Sequence, residues 1–223
     1  MRLVGLISFF MPLYLTCHPV DLYEGLHLDK AELARILDFV AHEEETCAWV
    51  AEYGILAELI NQMGLQKGCE LGVAYGGQSR YLLEHTGVAR VYSVDPYHHF
   101  PASEWNDGGN FNQNTLDVMF LKVAHMLRTF GPRSHLIRDT SSNAASLFQN
   151  EELDFVYIDA NHEYSHVLQD LSLWYPKVRS GGLVAGDDYI VWGQSVPQAV
   201  YRFTKQHGIV YQTRGNKWWF IKP

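Results

Sequence analysis

Short apolar runs alternate with stretches of helical period along most of this chain. Apolar runs fall at Cys69 to Val73, Arg90 to Asp95, Ser134 to Arg138, Leu153 to Asp159 and Gly182 to Asp188. Their length and β-branched content predict buried strands. Apolar residues at a helical spacing predict helices over Lys30–Phe39, Glu44–Met63, Thr115–Thr129 and Glu163–Val178. A helix over Val196–Gln206 and a short one through Ala144–Phe148 complete that set, with Asp29 as N-cap of the first and Gly64 ending the second. Two last runs, Ile209–Thr213 and Lys217–Lys222, flank Gly215-Asn216 and read as a hairpin. Strand–helix alternation of this kind specifies an α/β chain: a doubly wound sheet of seven strands with a terminal antiparallel hairpin strand.

The turn after the first strand has its own chemistry. It reads Glu70-Leu71-Gly72-Val73-Ala74-Tyr75-Gly76-Gly77-Gln78-Ser79 and leads into Tyr81-Leu82-Leu83-Glu84. Glycines there permit positive φ and close approach of a ligand to the backbone, and the helix start offers unpaired N–H groups. The second strand ends in Asp95, 25 residues after Glu70, where an acid can accept ribose hydroxyls. The spacing is not the G-x-G-x-x-G of dinucleotide sites. A carboxylate two residues ahead of the first glycine would repel a pyrophosphate but suits a cationic sulfonium.

Composition narrows the partners. The 223 residues are 47% hydrophobic and 19% charged, with a net charge of −8 and no basic run. One globular domain is the simplest reading, with no nucleic-acid partner and no anionic membrane surface. Cys17, Cys47 and Cys69 have neither paired nor metal-ligand spacing and read as reduced thiols. Leu3 to Cys17 is nearly all apolar. It is too short to span a bilayer, though it has the length of a signal-peptide core. Leu15-Thr16-Cys17 lacks the small residues of a cleavage site, so the expectation is a retained arm and a cytoplasmic protein. The arm would pack on the domain or on a partner subunit, which leaves a homo-oligomer open. The expected division is an apolar arm and helix over residues 1–44 and the main α/β domain over 45–223.

Successive strands end in acid: Asp95, Asp139, Asp159 and the pair Asp187-Asp188. Ligands of open α/β sheets bind at these strand ends. Asp159, Asp187 and Asp188 would converge in one cleft, where three carboxylates call for a cation, most simply Mg²⁺; the competing reading is that they cap the following helices. Pro96 to Asn114 is a loop rich in aromatic residues and histidine, suited to shaping a substrate pocket. His98-His99 within it reads as solvated loop.

The turn and Asp95 resemble the first two motifs of class I S-adenosylmethionine-dependent methyltransferases, which have a Rossmann-like fold. That resemblance implies S-adenosylmethionine as cofactor, with Glu70, Gly72, Tyr75, Gly76, Ser79 and Asp95 around it. It also implies Asp139 and Thr140 beside the adenine. The stretch DFVYIDANHEYSHVLQDLSLWYPKVRSGGLVAGDDY, Asp154 to Tyr189, is similar to a bacterial family related to the sugar O-methyltransferases of macrolide and aminocoumarin tailoring. It is more distantly similar to catechol O-methyltransferase. In catechol-type enzymes the positions of Asp159, Asp187 and Asp188 hold Mg²⁺, and the base lies three residues after the first, here His162. A relative's aspartate base two residues on would fall on Asn161, whose amide cannot take a proton. The implied function is metal-assisted O-methylation of a small hydroxylated molecule, with His162 and Asp159 as catalytic residues. A binding protein without turnover would keep Glu70, Gly72 and Asp95 but would not need His162 and the three acids. A nicotinamide oxidoreductase would need the tighter glycine spacing.

Overall fold

The computed structural model describes residues 21–23, 25–46, 52–105, 109–191 and 193–223. The expected arm, Cys17, Cys47, Trp49 and Asp107-Gly108 lie outside them. The sheet is built from β1 (Lys67–Leu71), β2 (Arg90–Val94), β3 (Ser134–Ile137), β4 (Leu153–Ile158), β5 (Val178–Gly186), β6 (Gln212–Arg214) and β7 (Lys217–Ile221). Its order is β3-β2-β1-β4-β5-β7-β6. The first five strands run parallel, and β7 pairs antiparallel with both β5 and β6. The expected Rossmann-like sheet with its terminal hairpin is therefore what the chain forms.

Alternation along the central strands divides the core between the two faces. Phe155 and Tyr157 of β4, Leu183 of β5 and Trp219 of β7 pack on one face. Val156, Ile158, Val184, Trp218 and Phe220 pack on the other. On the first face lie α1 (Lys30–Thr46), α2 (Tyr53–Met63), α3 (Gly77–His85) and α4 (Gln113–Arg128). On the second lie α5 (Ser141–Ala144), α6 (Tyr164–Trp174) and α7 (Ser195–His207).

The N-terminal helices differ from expectation. The α1 helix runs on to Thr46, and the next helix begins only at Tyr53. Asp29 does cap α1, accepting the Glu32 N–H at 2.8 Å. The helix continues past Phe39 because Val40, one turn after Ile36, is buried in the same core. Through Ile36 and Val40 this helix joins the core of the first face. Gly64 ends α2 in a left-handed conformation at φ 65°, as its position suggested. Among the described residues no helix is long and apolar enough to cross a membrane.

Candidate active site

The register of the sheet aligns the last residues of four strands: Leu71 with Val94 and Ile158, and Ile158 with Gly186. The ladder then continues one residue further. Gly72 N donates to Val94 O, Asp159 N to Leu71 O, and Asp187 N to Ile158 O, at 2.9, 2.8 and 3.1 Å. Asp95, Gly72, Asp159 and Asp187 thus stand side by side at the carboxyl edge. Only glycine fits at the second place. Gly72 has φ 83°, and a Cβ there would lie 1.9 Å from the Asp159 carbonyl oxygen.

Asp95 fastens the glycine turn to β2. Its Oδ2 accepts the Val73 and Ala74 N–H groups at 2.9 and 3.0 Å, and Oδ1 accepts that of Tyr97 at 2.8 Å. Tyr97 closes the loop by donating its hydroxyl to Ala74 O at 2.8 Å. Burial raises the Asp95 carboxyl, against the pull of these N–H bonds. Among the described residues three donors fill its acceptor positions, which leaves one on Oδ1, and Asp95 lines the first of the cavities described below.

Glu70 lies behind the turn and is fully buried. Its carboxyl is pushed up to about 8, chiefly by burial and further by the charges of Asp159 and Asp95. Ser79, on the first turn of α3, donates to Glu70 and shares a 2.5 Å hydrogen bond with Ser93. Ser79 therefore holds Glu70 from inside the fold and does not line the cavity. Gly76, at φ 79°, lets α3 start against Met126 of α4, while Tyr75 lines the cavity.

At the other end of the row the expected acid trio is rearranged. Asp187 is buried and turned to Lys217 of β7, with which it forms an ion pair; Tyr157 also donates to it at 3.0 Å. Its second oxygen accepts the Asp188 N–H at 2.8 Å. Asp187 therefore bonds protein donors, although it also lines the first cavity. Asp159 and Asp188 instead come together with His162, whose Nε2 lies 2.7 Å from Asp188 Oδ2 and 3.3 Å from Asp159 Oδ1. Asp188 has a left-handed backbone at φ 56°, and Asn216 of the β6–β7 turn donates to it at 2.6 Å. Burial, and then the Asp187 charge, raise the Asp159 carboxyl against the hydrogen bond to His162. Ligand atoms of Asp159, His162 and Asp188 all lie within 4.8 Å of one another.

Two cavities open along this row. The first, about 480 Å³, carries Glu70, Asp95 and the Asp159–His162–Asp188 cluster, walled by Tyr53, Tyr75, Tyr97, Phe100, Trp105 and Phe111. The second, about 420 Å³, lies over the β3 side and carries Thr140, Ser141, Asn161 and Asp170. They share Gly72, Pro96, Phe100, Trp105 and Ala160. Asp139 lines neither: it accepts the Thr140 N–H at 2.7 Å and the Asn143 side-chain amide at 2.9 Å. Thr140 reaches the second cavity while its hydroxyl caps α5. The aromatic loop does wall the pocket; His99 is tied to Phe111 O at 3.0 Å, whereas His98 lines the first cavity.

Buried polar atoms of cavity-lining residues without a hydrogen-bond partner among the described residues include Gln78 Oε1 in the first and Asn161 Nδ2 in the second. Neither stood out in the sequence as a ligand contact. Lys217 did not either, although the antiparallel pairing of Gly186 with Trp218 places it beside Asp187.

The row matches a known family. The profile described as a methyltransferase domain covers residues 69–189, from β1 to just past the Asp187-Asp188 pair and over half of the chain. The chain belongs to this methyltransferase family. Uncharacterized protein R132 of Acanthamoeba polyphaga mimivirus is 26% identical over 136 residues, 59% of this methyltransferase. The match spans 56% of that curated relative's own length. Among solved structures, a Staphylococcus aureus protein assigned as a caffeoyl-CoA O-methyltransferase is similar at TM-score 0.63 and 15% identity, over 92% of this chain and 97% of that one. The O-methyltransferase TomG of Streptomyces achromogenes, solved with S-adenosylmethionine, gives 0.54 and 14%, over 92% and 95%. A Bacillus cereus O-methyltransferase in complex with S-adenosylhomocysteine gives 0.53 and 13%, over 91% and 96%. At these identities the likeness to the methyltransferase is one of fold.

Proposed function

We propose that this methyltransferase uses S-adenosylmethionine to methylate a hydroxyl of a small molecule, with Asp159, His162 and Asp188 managing the hydroxyl proton. One observation carries the reading: the cluster opens into an aromatic-walled cavity immediately beside Gly72, where a second, more polar cavity joins it.

The orphaned atoms fit the cofactor. Gln78 Oε1 is an acceptor suited to an ammonium, and Asn161 Nδ2 is a donor suited to a ring nitrogen. The remaining acceptor position on Asp95 suits a ribose hydroxyl. Glu70 sits behind the turn, where a carboxyl is compatible with a nearby sulfonium. The bound cofactor brings the methyl group and its leaving group, so the chain mainly orients the acceptor and takes its proton. Asp188, at 2.7 Å, orients the His162 imidazole and supports it as proton acceptor. The aromatic wall excludes water from the acceptor.

A second reading rests on the tightness of the same cluster. Two carboxylates and an imidazole whose ligand atoms lie within 4.8 Å of one another are a fitting set for a divalent cation. Bound there, a cation would lower the pKa of a hydroxyl beside it. The imidazole suits Mn²⁺ or Zn²⁺ better than the Mg²⁺ expected from three carboxylates. Methyl transfer from labelled S-adenosylmethionine to a panel of catechols and sugar alcohols tests both readings. Transfer that persists in excess chelator supports His162 as the base. Loss that Mn²⁺ restores supports the cation, and no transfer to any hydroxyl acceptor would contradict O-methylation.

A further inference from the structure

Three consecutive residues after β5 are bonded to one residue of the β6–β7 turn. Asn216 donates from Nδ2 to Asp188 Oδ1 at 2.6 Å, and its Oδ1 accepts the Ile190 N–H at 2.8 Å. Its backbone carbonyl accepts the Tyr189 N–H at 2.9 Å. On the other side, the Asn216 N–H donates to Glu52 Oε2 at 3.3 Å, just ahead of α2. The turn itself does not require an asparagine here: Gly215 takes the left-handed position at φ 59°, and Asn216 is not among the positive-φ residues. Asp188 is one of them, at φ 56°. Residues other than glycine keep that conformation only where their surroundings over-determine it. The bonds to Asn216 supply that constraint, and they leave Asp188 Oδ2 against His162 Nε2 at 2.7 Å.

We propose that Asn216 is the positioning residue of this cluster: it fixes the Asp188 carboxylate and, through it, the His162 imidazole. The inference rests on the reading above that His162 and Asp188 manage the hydroxyl proton, and it adds what holds them in place. One Asp188 oxygen is held by the Asn216 amide, and the backbone of the next two residues is tied to the same side chain and carbonyl. The carboxylate therefore has little freedom to turn away from the imidazole. The amide suits both contacts, offering a donor to Asp188 and an acceptor to Ile190. An acid at this place would meet Asp188 as a like charge, and an apolar side chain would release Asp188 Oδ1. Asn216 and Val191, one residue beyond Ile190, both line the first cavity, so the unit that orients the base is also part of the acceptor's wall.

The test compares Asn216→Ala and Asp188→Asn, singly and together, in methyl transfer to an acceptor from the panel above at saturating S-adenosylmethionine. Asn216→Ala keeps the main-chain bonds to Tyr189 and Glu52 and removes both side-chain bonds. It should lower kcat about ten- to a hundredfold, with acceptor KM and S-adenosylhomocysteine affinity within about threefold of wild type. Because the effect passes through Asp188, the double variant should be at most about threefold slower than Asp188→Asn alone. Asn216→Asp keeps the acceptor for Ile190 but sets a carboxylate against Asp188, and should be slower than Asn216→Ala; it carries the test if the alanine variant loses its native circular dichroism. Losses that multiply in the double variant would give Asn216 a role independent of Asp188 and overturn the inference. Wild-type kcat in a folded Asn216→Ala or Asn216→Asp would overturn it as well, with the O-methylation reading intact. Failure of wild type to methylate any acceptor would instead defeat that reading, and this inference with it.

Discussion

The two ends of the strand-end row are built in different ways. At the β1–β2 end, Asp95 closes the glycine turn through hydrogen bonds to Val73, Ala74 and Tyr97. All of these partners come from one β-α-β unit. At the β4–β5 end, Asp187 is neutralised by Lys217, and Asp188 is held by Asn216, both from the hairpin that closes the chain. The first end is a local device that shapes a binding turn. The second is a charge arrangement that exists only once the last strand has returned antiparallel to β5. It follows that changes at the two ends should have different consequences: binding at one, chemistry and folding at the other.

The sharpest way to break that division is His162→Ala. The variant should lose about 10²–10⁴ in kcat with any acceptor that wild type methylates, the usual worth of a positioned base. Its affinity for S-adenosylhomocysteine should stay within about threefold. Parallel loss of binding and turnover would mean that the two ends are not separable.

Lys217→Met addresses the folding side. It leaves Asp187 buried and without its cation, a situation that costs about 3–5 kcal/mol in comparable buried pairs. Urea denaturation should show a drop of that order, and the double variant Lys217→Met/Asp187→Asn should recover most of it. A single variant as stable as wild type would show that Asp187 has another counter-charge.

A smaller effect sharpens the other end. Glu70 is pushed up to about 8 from an ordinary carboxyl value. The native state therefore keeps a proton that the unfolded chain sheds, and wild-type stability should decline as pH rises from about 4.5 to 8. Glu70→Gln mimics the protonated acid and removes that decline. The variant should match wild type near pH 4 and melt a few degrees higher at pH 8 and above. A gap in melting temperature that does not change with pH would contradict a protonated Glu70.

These differences also explain what could be read from the residues alone. The seven-stranded fold, the row of acids and the role of Gly72 follow from strand periodicity and local turn chemistry, which are written in neighbouring residues. Acids at strand ends are legible in the sequence; the partners that each of them meets are not. Lys217 lies in a different element from Asp187, and only the β5–β7 register brings the two together. The same limit applies to the second cavity. Asp139 and Thr140 look like ligand contacts by position; Thr140 does line the second cavity, while both also bond Asn143. Asn161 reads in the sequence only as an amide that cannot take a proton; that its side chain lines a cavity depends on the fold. The run from Glu43 to Thr46 extends α1, an outcome that follows from the packing of Val40 and Ile36 in the core and not from local spacing.

The most direct test is whether a single ligand runs through the waist between the two cavities. Ala160 lines both, so Ala160→Trp fills that waist while leaving Asp95, His162 and Asp170 in place. Calorimetry with S-adenosylhomocysteine should show one site per chain in wild type and affinity at least about a hundredfold weaker in the variant, with matching circular dichroism. Wild-type affinity retained in a folded Ala160→Trp would place the cofactor elsewhere and contradict the assignment of the site.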